Sequence, residues 1–480
     1  MLAVLLARAT QFLLALAMMR VATTLLSPAE MGKVSLVLTT TAFFALFLVN
    51  PVGMFINRRL HVWQVSGAAT QYLTRYAIYL LLVALVSVIG LMFIYEQRLV
   101  EFGVSIGWLI FLVSGSLIFN TINQTAIPSL NLLGESRRFV ALTLLTIAAS
   151  FSFATLLVKT LQPSAQNWLL GLLLGQAMLA VIGTMVLFRK LKKTEIYKKS
   201  ARIQSRHLLT LLKFSWPVAL SAGLGWVQGQ GYRYNMEGQL GLAELGIFVA
   251  GYGISAGIIA GFESVLTTYF QPRLYRDVSF DQQPSKYSQA WHRYAAVVIP
   301  SLVLTVAFIV ILAPELSSVF LGKSFQSSAD FIIWGALAES ARVLVGVYTL
   351  IAHVYMRTRW LILPNLVGAS LAIILCALLI PSLGAVGVGI SLATSGFAVV
   401  VMLHVLLVRH VGGGTPVHPI LIAAISSAVL WVITISLRLF LHSNVTGWLL
   451  IGSTLVPVTL TYLVLQYVFL RPHINDKVEK

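Results

Sequence analysis

The 480-residue chain has one cysteine, Cys376, and few acids: 15 Asp and Glu stand against 33 Lys and Arg, and only 10% of residues are charged. A single cysteine excludes an intrachain disulfide and any cysteine-based metal cluster. The nine histidines fall in no HExxH or other ligand spacing, so no metalloenzyme motif is present. There is also no GxxxxGK[ST] loop, and therefore no sign of an ATP-driven step. A soluble domain carries about 25% charged residues. A tenth is too little for a surface that faces water on all sides.

What is present is apolar surface, at 58% of residues. A bilayer core needs about 20 mostly apolar residues per helix. On that rule about fourteen segments qualify, near 3–26, 34–55, 76–95, 103–126, 139–158, 167–188, 214–234, 244–268, 294–313, 329–353, 361–380, 385–408, 418–441 and 447–470. The expected fold is an all-α polytopic membrane protein. The first segment is kept as a span rather than a signal peptide, because Met1 to Leu6 holds no cation ahead of the apolar run.

The net charge of +18 is then a question of position. Twenty-three of the 33 cations fall in the even-numbered loops and the C-terminal tail, and four in the odd loops. By the positive-inside rule, both termini and the even loops are cytoplasmic. The stretch RKLKKTEIYKKSARIQSRH at 189–207 is read as a solvated linker drawn to anionic lipid heads, not as a nucleic-acid site.

Internal similarity sets the architecture. LSPAEMG at 26–32 matches LGLAELG at 240–246, an offset of 214 that also pairs Arg59 with Arg273. TRYA at 74–77 matches HRYA at 292–295, and LFR at 187–189 matches LVR at 407–409. The expected organisation is a six-helix lobe at 1–188, a basic linker at 189–213, a second six-helix lobe at 214–410, and a helix pair with a short tail at 411–480. Six helices per lobe give both lobes the same orientation, the plan of parallel-repeat transporters.

Six cations remain inside helices: Arg8, Arg20, Arg75, Arg233, Arg342 and Arg438. A charge at mid-bilayer costs at least about 2.5–3.5 kcal/mol, so such residues need partners, water or an anionic ligand. Arg75 and Arg438 lie near helix ends and can snorkel. Arg20 lies ten residues before Glu30 and Arg233 eleven before Glu244, so the two repeats hold an arginine at similar depth. On an ideal helix Trp226, Gln230, Arg233 and Glu237 share one face, with Tyr232 beside it. Guanidinium, amide and aromatic groups together suit a phosphate and a sugar ring; the competing reading is an Arg233–Glu237 pair at the interface. Arg8 is about 120° around the helix from Arg20 and can instead snorkel to the inner surface. Glu339 and Arg342, at i and i+3, are either a neutralised pair or a cavity group, and Glu263 is a candidate for proton coupling.

The two AExG turns, AEMG at 29–32 and AELG at 243–246, and IPSLGAVGVGISLATS at 380–395 resemble the pattern of bacterial Wzx-type polysaccharide flippases. These are members of the multidrug/oligosaccharidyl-lipid/polysaccharide exporter superfamily. The resemblance implies a two-lobed bundle in the bacterial inner membrane that moves a polyprenyl-diphosphate-linked oligosaccharide to the outer leaflet by alternating access. It implies a transporter rather than an enzyme, with no cofactor and coupling to a proton or sodium gradient or to the membrane potential. Other polysaccharide-assembly membrane proteins are the expected partners, with no nucleic acid. Family members often show a cationic lumen, for which Arg20, Arg233 and Arg342 are the candidates. Fourteen helices resemble the lipid II flippase branch. The alternatives are a multidrug exporter of the same superfamily and a membrane-integral glycosyltransferase or polymerase. Helices 1 and 2 lack the carboxylate expected of the first, and no long acidic outer loop supports the second.

Overall fold

A computed structural model describes residues 2–194, 205–279, 284–355, 357–411, 416–442 and 448–475. The described residues are helical, without strands. In chain order the helices are α1 (Leu2–Leu25), α2 (Pro28–Phe44), α3 (Asn50–Val65), α4 (Ala69–Glu96), α5 (Ile106–Leu132), α6 (Ser136–Thr160), α7 (Ala165–Thr194) and α8 (Ser205–Gln230). They continue as α9 (Tyr232–Ser279), α10 (Pro284–Ile311), α11 (Ala313–Phe320), α12 (Ala329–Val354), α13 (Ile362–Val411), α14 (Val417–His442) and α15 (Trp448–Asn475).

Eleven helical stretches among the described residues are long and apolar enough to cross a membrane. Two of them are broken by glycine: Gly241 (φ 83°) interrupts α9, and Gly384 (φ 57°) interrupts α13. Positive φ is open to glycine at little steric cost, so each of these stretches holds two crossings. With the shorter apolar stretch of α1, every one of the fourteen expected segments coincides with a helix. The chain is a multi-pass membrane protein.

The chain forms two compact units. Unit 1 comprises residues 1–14 and 21–246, and unit 2 comprises residues 15–20 and 247–480. In unit 1, the LSPAEMG stretch is a capped helix start. Ser27 accepts the Glu30 backbone N–H, and Pro28 takes the first turn, where its missing donor is harmless. Glu30 also accepts from Lys33 Nζ (2.6 Å) and from the backbone N–H of Ala165 (2.6 Å), so it caps the start of α7. Small residues bring α6 and α7 together: a methyl group on Gly171 would lie 2.3 Å from the Ala154 backbone nitrogen, and one on Gly175 would lie 2.4 Å from that of Ser150.

Between α2 and α3 the chain makes a π-turn, Ala45–Val49, closed by the Asn50 N–H on the Ala45 carbonyl. Pro51 follows it, and proline can neither donate to nor tolerate the carbonyl four residues back. The wider turn relieves that conflict. The Tyr79 hydroxyl donates to the Leu48 carbonyl (2.8 Å) and braces the turn.

In unit 2, α10 is the central helix. Of its most apolar stretch 72% is buried, against 17% for α14 and for α15. Polar bonds still tie that last pair to it. Arg438 of α14 donates to both oxygens of Glu315 (2.9 and 2.7 Å) and to the Ile311 carbonyl (2.6 Å). Gln466 of α15 donates to the Ser301 carbonyl (2.8 Å) and to Thr305 (3.1 Å). Arg438 therefore does not snorkel; it has a buried carboxylate partner. The repeat recurs in side-chain contacts within each unit: Arg59 lies over the Phe55 ring, and Arg273 lies over the Tyr269 ring, each four residues back.

Candidate functional site

The first site lies in unit 1, where α8 ends at Gln230, Gly231 forms a turn, and α9 begins at Tyr232. The single continuous face expected from Trp226 to Glu237 is therefore broken at Gly231. Across the break, Trp226 and Arg233 still reach α2, and Gln230 joins them through Arg233. Arg233 Nη1 donates to Thr39 Oγ1 (2.6 Å) and to Gln230 Oε1, and Nε donates to the Tyr232 hydroxyl (3.2 Å). The guanidinium carbon stands 5.3 Å from the centre of the Tyr232 ring. Trp226 Nε1 donates to the Thr39 carbonyl (3.2 Å). The Thr40 hydroxyl is committed to the Leu36 carbonyl, so the Tyr234 hydroxyl donates to Thr40 Oγ1 at 2.7 Å.

The charges around Arg233 decide its chemistry. Every described partner is neutral: a hydroxyl, an amide, a phenol and an aromatic face. Glu237 instead accepts the backbone N–H of Glu101, so it is not the counter-ion considered from the sequence. This half-buried guanidinium inside a membrane-spanning segment thus has no carboxylate partner among the described residues. Beside it runs an aromatic wall. Trp226 meets Phe43 edge-on at 4.9 Å and Tyr234 at 5.9 Å, and Phe43 stacks on Phe47 at 5.8 Å. Gly225 and Gly229 face open space: a methyl on either would meet nothing within 4 Å.

The second site lies in unit 2. Arg342 Nε donates to Glu339 Oε2 (2.6 Å), and Nη2 donates to Glu263 Oε2 (2.8 Å). Glu339 Oε1 also accepts the Tyr252 hydroxyl (2.6 Å). One cation therefore joins two acids. A cavity of about 310 Å³ opens beside Glu263, lined by Thr267, Gln271, Tyr294, Thr349 and His353 among apolar residues of α9, α10 and α12.

The remaining candidates from the sequence, Arg20 and Arg8, lie elsewhere, as do several other polar side chains within the spans. Arg20 donates to the Ser318 carbonyl (3.1 Å) within unit 2. Arg8 is on α1, but its side chain lies outside the described residues, as do residues 195–204 of the basic linker. His404 bonds the Tyr348 hydroxyl at 2.9 Å. Asn120 and Gln124 bond one another at 3.3 Å, whereas Asn123 reaches the Gln176 carbonyl of α7. No cluster of three or more metal-binding side chains occurs among the described residues.

Sequence reasoning missed Thr39, Thr40, Phe43 and Tyr252. The first three lie on α2, whose run Thr39-Thr40-Thr41 in an apolar helix was the available signal. Thr40 and Thr41 do return their hydroxyls to the preceding turn; Thr39 turns its oxygen to Arg233.

Among the described residues this is an all-helical, polytopic membrane fold, and solved structures share it. The chain is similar over 99% of its length to 99% of the lipid II flippase MurJ in an inward closed conformation, with a TM-score of 0.69 and 14% identity. It is also similar over 84% of its length to 94% of a multidrug resistance MATE family transporter of the MOP superfamily in an inward-facing conformation, at TM-score 0.63 and 15% identity. An outward-facing conformation of a MATE family transporter matches at TM-score 0.55 and 13% identity, over 85% of this chain and 93% of that one. No known family model matches the chain, and no curated protein matches it in sequence.

Proposed function

We propose that the chain is a flippase for a polyprenyl-diphosphate-linked oligosaccharide of polysaccharide biosynthesis. It carries the headgroup from the cytoplasmic to the outer leaflet of a bacterial inner membrane, with both termini cytoplasmic. The observation that supports this reading is Arg233, a guanidinium in a membrane span whose partners among the described residues are neutral, and which is flanked by an aromatic wall. A diphosphate needs forked, charge-assisted donors on entering a medium of low dielectric constant. A sugar ring next to it can stack on Trp226 and hydrogen-bond to Gln230. An inside-negative potential favours outward movement of the anion by about 2.3 kcal/mol per charge per 100 mV. The cation bias of the even loops supports the orientation.

A second reading is a lipid II-type precursor as cargo. It is favoured by one observation: the likeness to MurJ covers 99% of the chain, whereas that to the MATE structures covers 84–85%. Liposomes carrying the purified protein and fluorescent polyprenyl-diphosphate glycans test both readings. Transfer of an oligosaccharide but not of lipid II supports the first, and the reverse result supports the second. Arg233→Ala is expected to slow transfer about 10- to 100-fold, the worth of one hydrogen bond to a charged group. Undiminished transfer by that variant removes Arg233 from the mechanism. Transport of cationic drugs in place of glycans, or product formation in detergent with no second compartment, returns the protein to the multidrug or glycosyltransferase reading.

A further inference from the structure

The Glu263–Arg342–Glu339 group in unit 2 has one more acid than it has cations. A surplus negative charge in a membrane interior is unfavourable, and binding one proton removes it. The two acids are not equivalent in this respect. Glu339 has both oxygens engaged, Oε2 by Arg342 and Oε1 by the Tyr252 hydroxyl. Glu263 has only Oε2 engaged. Its Oε1 has no hydrogen-bond partner among the described residues and lies toward the cavity wall, 4.0 Å from where a methyl on Gly346 would sit. Water entering the cavity therefore reaches Glu263.

We infer that Glu263 is a proton-binding site whose protonation releases Arg342 to an anionic ligand. In the charged state the guanidinium is shared between two carboxylates. A neutral Glu263 leaves it with Glu339 alone, and its Nη2 becomes free for a phosphate oxygen. The proton goes to Glu263 Oε1 from cavity water. The other titratable groups at the site are Tyr294 of α10, His353 and Glu339 of α12, and Tyr275 of α9. Arg342 is half-exposed, so its released edge is accessible. Proton binding and anion binding then reinforce each other, since each favours the state in which the Glu263–Arg342 bond is broken. This inference rests on the reading that the cargo is an anion.

Two measurements on the full-length protein in nanodiscs test it. Infrared difference spectra across mildly acid to neutral pH should show a protonated-carboxyl band in wild type that Glu263→Gln lacks and that Glu339→Gln shifts to lower pH, because loss of that acid also removes the surplus charge. Binding of inorganic diphosphate should tighten about tenfold in wild type as pH falls, the equivalent of about one unit of linked protonation. Glu263→Gln should bind at all pH values as wild type does in acid, once the diphosphate's own titration is subtracted. Arg342→Ala should bind weakly throughout. PH dependence retained in Glu263→Gln, or no carboxyl band assignable to Glu263, overturns the inference alone. Diphosphate binding by no variant at any pH overturns the anionic-cargo reading, and the coupling with it.

Discussion

Gly32 and Gly246 hold equivalent places in the two repeated turns, and each lies against the other turn's backbone. A methyl group on Gly32 would sit 2.0 Å from the Leu242 carbonyl oxygen, and one on Gly246 would sit 1.9 Å from that of Pro28. The residues touched, 28 and 242, are themselves related by the same offset of 214, so the contact is symmetric. In the first turn Ser27 caps the helix; at the equivalent position the second turn has Gly241, with φ 83°.

Alanine at Gly32 or Gly246 is therefore expected to destabilise the protein by about 1–3 kcal/mol, the usual cost of overpacking. The double variant should lose less than the sum of the two, because one backbone displacement relieves both clashes. Thermal unfolding followed by the reactivity of buried Cys376 measures this. Additive losses would show that the two glycines act independently.

Thr39→Val removes the hydroxyl that accepts from Arg233 at 2.6 Å but keeps the side-chain shape and the backbone carbonyl used by Trp226. The guanidinium should stay charged but lose its fixed position. We expect transfer of diphosphate-linked glycan to fall several-fold, less than in Arg233→Ala, with little change in melting temperature. A variant as slow as Arg233→Ala would mean that Thr39 itself binds cargo.

Much of the fold was legible because crossing a bilayer imposes one strong constraint, a long apolar run, and glycine marks the breaks at Gly241 and Gly384. The π-turn at Ala45–Val49 and the break at Gly231 were not legible. They depend on where particular carbonyls find partners, and periodicity does not record that. The site was half legible. Arg233, Gln230, Tyr232 and Trp226 are neighbours in sequence, but Thr39 is 194 residues from Arg233. Likewise Glu339 and Arg342 are close in sequence, whereas Glu263 joins them from 79 residues away. Local spacing finds i, i+3 and i, i+4 partners, and tertiary packing supplies the rest.

Arg438 and Glu315 form a two-pronged ion pair that fastens α14 to the start of α11. Glu315→Ala leaves the half-buried guanidinium without its counter-ion, and loss of such a charge-assisted bond costs about 1.5–3 kcal/mol. Replacing both residues by leucine should recover most of that loss, because apolar replacement removes the uncompensated charge as well as the bond. Thermal melts of the two single variants and the double variant form the cycle. A double variant as unstable as Glu315→Ala would show that the bond itself, rather than relief of a lone charge, holds α14 in place.

Outside the spans, Glu135 joins α5 to α6 and receives Lys190 Nζ at 2.7 Å, with Arg138 at 3.6 Å. The Lys190 hydrogen bond, with the charges of Arg138 and Lys190, holds its carboxyl below the usual carboxylate range. A folded-state value below the unfolded one means that the stabilisation is complete above the ordinary carboxylate range. It is lost as pH falls through the lower folded-state value. Wild type should therefore lose melting temperature on acidification in that window, while Glu135→Gln starts lower at neutral pH and falls less steeply. Lys190→Met should flatten the acid limb in the same way, because it removes the group chiefly responsible for the shift. Parallel acid limbs in all three proteins would mean that the Glu135–Lys190 bond contributes nothing to holding α7 against the α5–α6 turn.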